Sequence, residues 1–125
     1  MNYLIVFFGG GIGAAARYGM NIGVGRIVGS TFPWHTLAVN IIGCFVMGAL
    51  TEAMALRLNF SNEMRLFLTT GILGGFTTFS AFALDFAFLV ERRDMIGAAG
   101  YALASVGVSI IACFAGLALV RTLAA

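Results

Sequence analysis

Four long runs of apolar residues, separated by a few polar ones, constrain this 125-residue chain more than any other feature. They extend over about residues 3–27, 34–56, 64–90 and 95–120, with polar punctuation in GSTFP (29–33), RLNFSNE (57–63) and ERRD (91–94). A helix rises 1.5 Å per residue, so crossing a bilayer core takes roughly 20 apolar residues. Each run is long enough. The chain is 61% hydrophobic and 10% charged, with a mean hydropathy of +1.02, whereas soluble domains are about 45–50% apolar and about 25% charged. A globule of this size would have too little polar surface to cover itself. The expectation is one all-α integral membrane domain over residues 1–125 with four transmembrane helices. The first run lacks the basic leader and cleavage site of a signal peptide, so it is expected to stay as a helix. Cys44 and Cys113 fall inside the second and fourth runs and are expected to be free thiols packed as small apolar groups.

The opening segment YLIVFFGGGIGAAARYG contains Gly11-x-Gly13-x-x-Ala16, a pattern shared with dinucleotide-binding turns. That motif needs a βαβ unit and an acidic residue about 20 positions on, and the first acid here is Glu52. Gly9 and Gly13, and again Gly19 and Gly23, are instead four residues apart, the small-residue spacing that lets membrane helices approach closely. No nucleic-acid or nucleotide partner is expected.

All seven basic residues are arginines. With four spans, Arg57, Arg65 and Arg121 share one side; Arg26, Arg92 and Arg93 share the other, with Arg17 deeper in the first span. The positive-inside rule therefore selects neither orientation. Balanced charge is compatible with insertion both ways and an antiparallel homodimer, or with one dominant arginine and a fixed topology.

Polar side chains inside spans are costly and tend to mark function. The second span carries Asn40; the fourth carries Tyr101, Ser105 and Ser109, which at i, i+4 and i+8 share one helical face; the third adds Thr77, Thr78 and Ser80. Each could be interhelical glue, and together they outline a polar pathway. Glu52, Asp85, Glu91 and Asp94 are read as peripheral, reaching headgroups or pairing with arginines. Arg17 either snorkels, holds a helix end or attracts anions. His35, beside Pro33 and Trp34, is read as interfacial.

GILGGFTTFSAF, residues 71–82, loosens the third span near its midpoint. Glycine costs about 1 kcal/mol relative to alanine in a helix, and β-branched threonine adds little helical preference. A break here frees backbone groups at bilayer depth, tolerated only against protein or a water- or ion-filled space. Gly71 and Gly75 also form a GxxxG, so tight packing is the competing explanation. Phe79 and Phe82 follow on one face, where their positive ring edges could meet a small anion.

GGFTTFSAF resembles the signature of the Fluc (CrcB-type) fluoride channels. The resemblance covers the whole chain, with the glycines and ARYG of the first span, TLAVNIIG of the second and Tyr-x3-Ser-x3-Ser of the fourth in family order. It implies a dual-topology antiparallel homodimer in a prokaryotic inner membrane, passively exporting fluoride through two pores. It also implies that Phe79 and Phe82 form the aromatic box and Asn40 supplies a polar side chain of the pore. Ser80 would join Tyr101, Ser105 and Ser109 in the polar track, with Arg17 near the anion entrance. A structural sodium ion would be held by main-chain carbonyls of Gly74 and Thr77 from both subunits. Family hydroxyls at positions 81 and 83 are here Ala81 and Ala83. The resemblance implies a channel and not an enzyme. Two other classes remain: a small proton-coupled exporter, which needs an embedded acid that the first span lacks, and a non-transporting membrane assembly protein.

Overall fold

The computed structural model describes residues 2–28, 32–56 and 59–124; Arg57, counted in the charge balance, and residues 29–31 of the first connection lie outside them. The described residues are helical, with no strand among them. Helix α1 is Asn2–Val28 and α2 is Trp34–Leu56. The third apolar run comprises α3, residues 62–76, and α4, Ser80–Glu91; α5 is Met95–Ala124. Within α3, Leu66–Leu73 winds in wider i→i+5 turns, as does Ala104–Val108 in α5.

Among the described residues, three segments are long and apolar enough to cross a membrane: α2, Asn62–Glu91 and α5. Helix α1 is 27 residues long, but Asn2, Arg17, Asn21, Arg26 and its many glycines dilute its apolar character. The chain is a multi-pass helical membrane protein. Its buried residues are few, and large apolar side chains such as Phe7, Phe8, Ile111 and Phe114 stand exposed, as expected where lipid or another chain replaces water.

Backbone contact holds the helices in two pairs. Helix α1 meets α3 through Gly9 and Gly13: a Cβ on Gly9 would sit 2.8 Å from the Phe67 carbonyl, and one on Gly13 would overlap the Ile72 carbonyl. Gly71 and Gly75 face back toward Gly9 and Gly10, so the GxxxG of the third run packs helices. Gly19 and Gly23 meet nothing within 4 Å, so only the first half of the small-residue stripe is used inside the protomer. Helix α2 meets α5 through Gly48, against the Cys113 carbonyl, and Gly116, against the Phe45 carbonyl. Arg121 Nη2 donates to Glu52 Oε2 at 2.9 Å further along the same pair. Gly48–Cys113, Ala49–Gly116 and Glu52–Arg121 advance in step, so α2 and α5 run parallel.

Local signals end the helices. Ser61 Oγ accepts from the Met64 amide at 3.2 Å and Asp94 Oδ1 from the Gly97 amide at 2.9 Å, each satisfying a first-turn donor. Between α4 and α5, Arg93 takes a left-handed φ of 60°, which lets the chain reverse within three residues.

Candidate functional site

The helix ends at Phe76 and resumes at Ser80. Thr77 is extended, with φ −80° and ψ 157°. Its amide and its hydroxyl both donate to the Leu73 carbonyl, each at 3.0 Å. Asn40, from α2, then clamps the next peptide group: Nδ2 donates to the Thr78 carbonyl at 2.9 Å, and the Thr78 amide donates to Oδ1 at 2.8 Å. Flipping the side-chain amide would oppose donor to donor, so its orientation is dictated. The Thr78 amide is thereby turned away from the Gly74 carbonyl, its regular i−4 acceptor. Thr78 Oγ1 accepts from the Ala81 amide at 3.1 Å, covering a donor at the start of α4. Gly43 makes the approach of α2 possible, since a Cβ there would overlap Thr77 Cγ2.

A cavity of about 430 Å³ opens beside this clamp, its lining including Asn40, Thr78, Phe79, Phe82, Ser105 and Ser109 together with Gly74 and Thr77. The Phe79 and Phe82 rings lie 5.4 Å apart at 50°; Phe79 is 76% exposed. Ser105 and Ser109 are each 7% exposed, and neither Oγ has a hydrogen-bond partner. An unmade buried hydrogen bond costs about 1–3 kcal/mol, so these two hydroxyls favour a ligand that accepts hydrogen bonds. Asn40 Nδ2 has a second N–H beyond the one used by Thr78. The start of α4 adds the positive end of a helix dipole. Neutral donors and aromatic rings lining one cavity suit a small anion.

Tyr101 belongs to an adjoining cluster. Its hydroxyl donates to Asp85 Oδ2 at 3.1 Å, and the Thr36 hydroxyl donates to the same oxygen at 2.8 Å. Its ring, fully buried, packs 5.1 Å from Phe82 and 5.5 Å from Phe32. The reading of Asp85 as peripheral is corrected: it is half-buried and binds neither an arginine nor solvent alone, because α4 carries it between α2 and α5. Asp85 also lines a smaller cavity of about 140 Å³ with His35 and Arg92. Replacing Asp85 with leucine would strand the Thr36 and Tyr101 hydroxyls, costing about 1–3 kcal/mol each. Asp85→Leu is expected to lower the midpoint of thermal unfolding in detergent, while Asp85→Asn, which keeps an acceptor, stays near wild type. Equal midpoints for Asp85→Leu and wild type would show that the cluster holds nothing.

The structure thus brings together Asn40, Phe79, Phe82, Ser105 and Ser109, with Gly74 and Thr77, and places Tyr101 behind Phe82. Tyr101, Ser105 and Ser109 share the buried stripe of α5, as their spacing predicts. Ser80 is exposed, 3.3 Å from the Thr78 hydroxyl, and Arg17 does not line the cavity either. Arg17 Nε and Asn21 Oδ1, one turn apart on α1, are both buried without a partner. Thr36, Gly43 and the role of Asp85 were not singled out by sequence reasoning. Thr36 sits one turn before Asn40 on the same face, which is the signal that could have found it.

Fold and cavity define a multi-pass helical membrane protein with a polar-and-aromatic pocket at a helix interruption. The chain belongs to the CrcB-like protein family (Camphor Resistance, CrcB), which matches residues 4–117. It is 57% identical over 122 residues to a fluoride-specific ion channel FluC of Mesorhizobium japonicum, covering 98% of each chain. It is 55% identical over 123 residues to the one of Agrobacterium fabrum, again covering 98% of each. With that of Rhizobium leguminosarum bv. trifolii it shares 52% over 121 residues and 97% of each chain.

Proposed function

We propose that this protein is a passive fluoride-selective channel that exports fluoride across the inner membrane of a prokaryote. The observation that carries the reading is the pair of unpartnered buried hydroxyls, Ser105 and Ser109, lining one cavity with Phe79, Phe82 and Asn40. Fluoride is small and strongly hydrated, so a path must replace its water with donors while offering no fixed charge to trap it. Hydroxyls, the spare Asn40 N–H and phenylalanine ring edges meet that need. The full-length relatives named as fluoride-specific channels support the choice of ion.

The working unit proposed is an antiparallel dual-topology homodimer in which α1 crosses the membrane as well. The balanced arginines and the exposed apolar faces of α1 and α5 support it. The interruption at residues 77–79 then lies at membrane depth, as a functional break in the third span. A sodium ion at the dimer axis would be held by the Gly74 and Thr77 carbonyls of both subunits. Gly74 is exposed and its carbonyl has lost the Thr78 amide; neutral backbone oxygens suit a hard monovalent cation. Bound there, the ion would supply a fixed positive charge near the anion path. Arg17 and Ser80 are proposed to act nearer the entrances, since neither reaches the cavity wall.

Purified protein in electrically shunted, fluoride-loaded liposomes is expected to release fluoride rapidly, chloride far more slowly, and neither in response to a proton gradient. Absence of fluoride efflux would sink the proposal, and flux requiring a proton gradient would favour a coupled exporter. Phe82→Ile is expected to suppress the flux while leaving dimers intact by cross-linking; undiminished conduction would remove the aromatic ring from the mechanism. C-terminal reporter fusions giving equal signals on both sides of the membrane would establish dual insertion.

A further inference from the structure

We propose that His35 tunes the channel to pH: its protonation adds a positive charge beside Asp85, at the surface end of the pathway, and raises the fluoride flux. That effect rests on the channel reading above. His35 is the one histidine in the chain, and imidazole is the side chain that ordinarily changes charge between pH 5 and 8. It stands in the first turn of α2, beside Thr36. There it shares a cavity of about 140 Å³ with Asp85 and Arg92. Arg92 lies just past the end of α4, so this cavity sits where the spans meet their connections.

Direct contacts connect it to the larger cavity. Asp85 Oδ2 accepts from the Thr36 hydroxyl at 2.8 Å and from the Tyr101 hydroxyl at 3.1 Å. The Tyr101 ring packs 5.1 Å from Phe82, and Phe82 lines the cavity proposed to pass fluoride. The carboxylate therefore stands one tyrosine away from the anion path, where its charge opposes an approaching anion. No contact cancels that charge: among the described residues Asp85 forms no ion pair with Arg92 or with His35.

The rest of the small cavity is apolar, walled by Phe32, Pro33, Phe88 and Leu89. Helix α1 contributes nothing to it, and Glu91, Arg93 and Asp94 lie off its wall. Asp85 of α4 and Arg92 are thus the charges that face the imidazole, one of each sign, while Tyr101 of α5 meets the carboxylate from its other side. Their sum is zero when His35 is neutral and +1 when it is protonated. Apolar walls keep the effective dielectric well below that of water, so a unit charge within about 8 Å, the physiological screening length, is felt along the path. The added charge lies outside the larger cavity, so it draws an anion toward the path without binding it there.

The test measures initial fluoride efflux from shunted liposomes holding purified full-length protein, with equal pH inside and outside. The leak of hydrogen fluoride from protein-free liposomes is subtracted at each pH. Wild-type efflux is expected to rise about three- to tenfold between pH 8 and pH 6, as a unit charge at this range allows. His35→Gln keeps a polar side chain without the charge and should hold the wild-type pH 8 rate throughout. His35→Arg carries a permanent charge and should run at pH 8 as fast as wild type at pH 6. A merely structural role for His35 would not place the two variants on opposite sides of wild type. Wild-type efflux no more pH-dependent than that of His35→Gln would overturn the proposal and leave the channel reading standing. So would His35→Arg that elutes as wild type does but conducts no faster than His35→Gln at pH 8. If wild type passes no fluoride at any pH, the channel reading fails and the role of His35 falls with it.

Discussion

Asn40→Leu is expected to abolish fluoride efflux from liposomes. Leucine keeps the branching and heavy-atom count of asparagine while replacing the amide with two bulkier methyl groups, so the variant removes the hydrogen-bonding groups without opening a void. It removes both hydrogen bonds to the Thr78 peptide group, at 2.9 Å and 2.8 Å, and the spare N–H of a residue that lines the cavity. The Thr78 amide then has the Gly74 carbonyl within reach along the chain, and the interruption can relax toward a continuous helix. Polar contacts in membrane proteins are worth about 0.6 kcal/mol on average, and the peptide group is only half-buried, so the stability loss is about 1–2 kcal/mol. Flux should therefore collapse in protein that still folds and dimerises in detergent. Asn40→Asp sharpens the test: it keeps an acceptor for the Thr78 amide but loses the donor and places negative charge on an anion path. It too should be silent. Wild-type flux in either variant would remove Asn40 from the pathway.

The second large effect is structural. Gly13→Ala is expected to prevent recovery of monodisperse protein, because the added Cβ would overlap the Ile72 carbonyl and lie 2.8 Å from the Phe76 amide nitrogen. Overpacking by a methylene among side chains costs about 1–3 kcal/mol. Here the obstacle is helix backbone, which has no rotamer to change, so the cost should exceed that range. Relief requires α1 to move off α3, which would also uncouple Gly9 from Gly71 and Gly10 from Gly75. Gly19→Ala is the comparison, since nothing lies within 4 Å of a Cβ there and alanine favours the helix by about 1 kcal/mol. Size-exclusion profiles and thermal midpoints in detergent would separate the two. Equal behaviour would mean that the α1–α3 contact is not close-packed as described.

Parts of this were legible in the sequence because they depend on local rules. A long apolar run between polar loops must cross lipid or be buried, whatever its neighbours. Tyr101, Ser105 and Ser109 share a face because of helical periodicity alone, and they do so even though Ala104–Val108 is wound in wider turns. Glu52 pairs with an arginine, as a carboxylate at a span end tends to do. Asp85 looked the same from the chain and behaves differently. Its partners, Thr36 and Tyr101, lie 49 and 16 positions away, and only the docking of α4 between α2 and α5 turns it inward. Ser80 shows the converse: its hydroxyl has the right chemistry, but the start of α4 turns it toward Thr78 and away from the cavity.

By itself, then, the sequence determined a helical multi-pass membrane protein and a loosened stretch within GILGGFTTFSAF, since apolar length, glycine and β-branching act within a few residues. It also supplied the chemistry of the site, the hydroxyls, rings and one amide. Tertiary structure decided which of these groups meet. The GxxxG of Gly71 and Gly75, read as the packing alternative to a break, is the α1–α3 seam. The interruption falls instead at residues 77–79, where Asn40 reaches across 38 positions to take both hydrogen-bonding groups of Thr78. A backbone leaves a helix in an apolar surrounding only where another element satisfies what it gives up, and which element stands there is settled by packing.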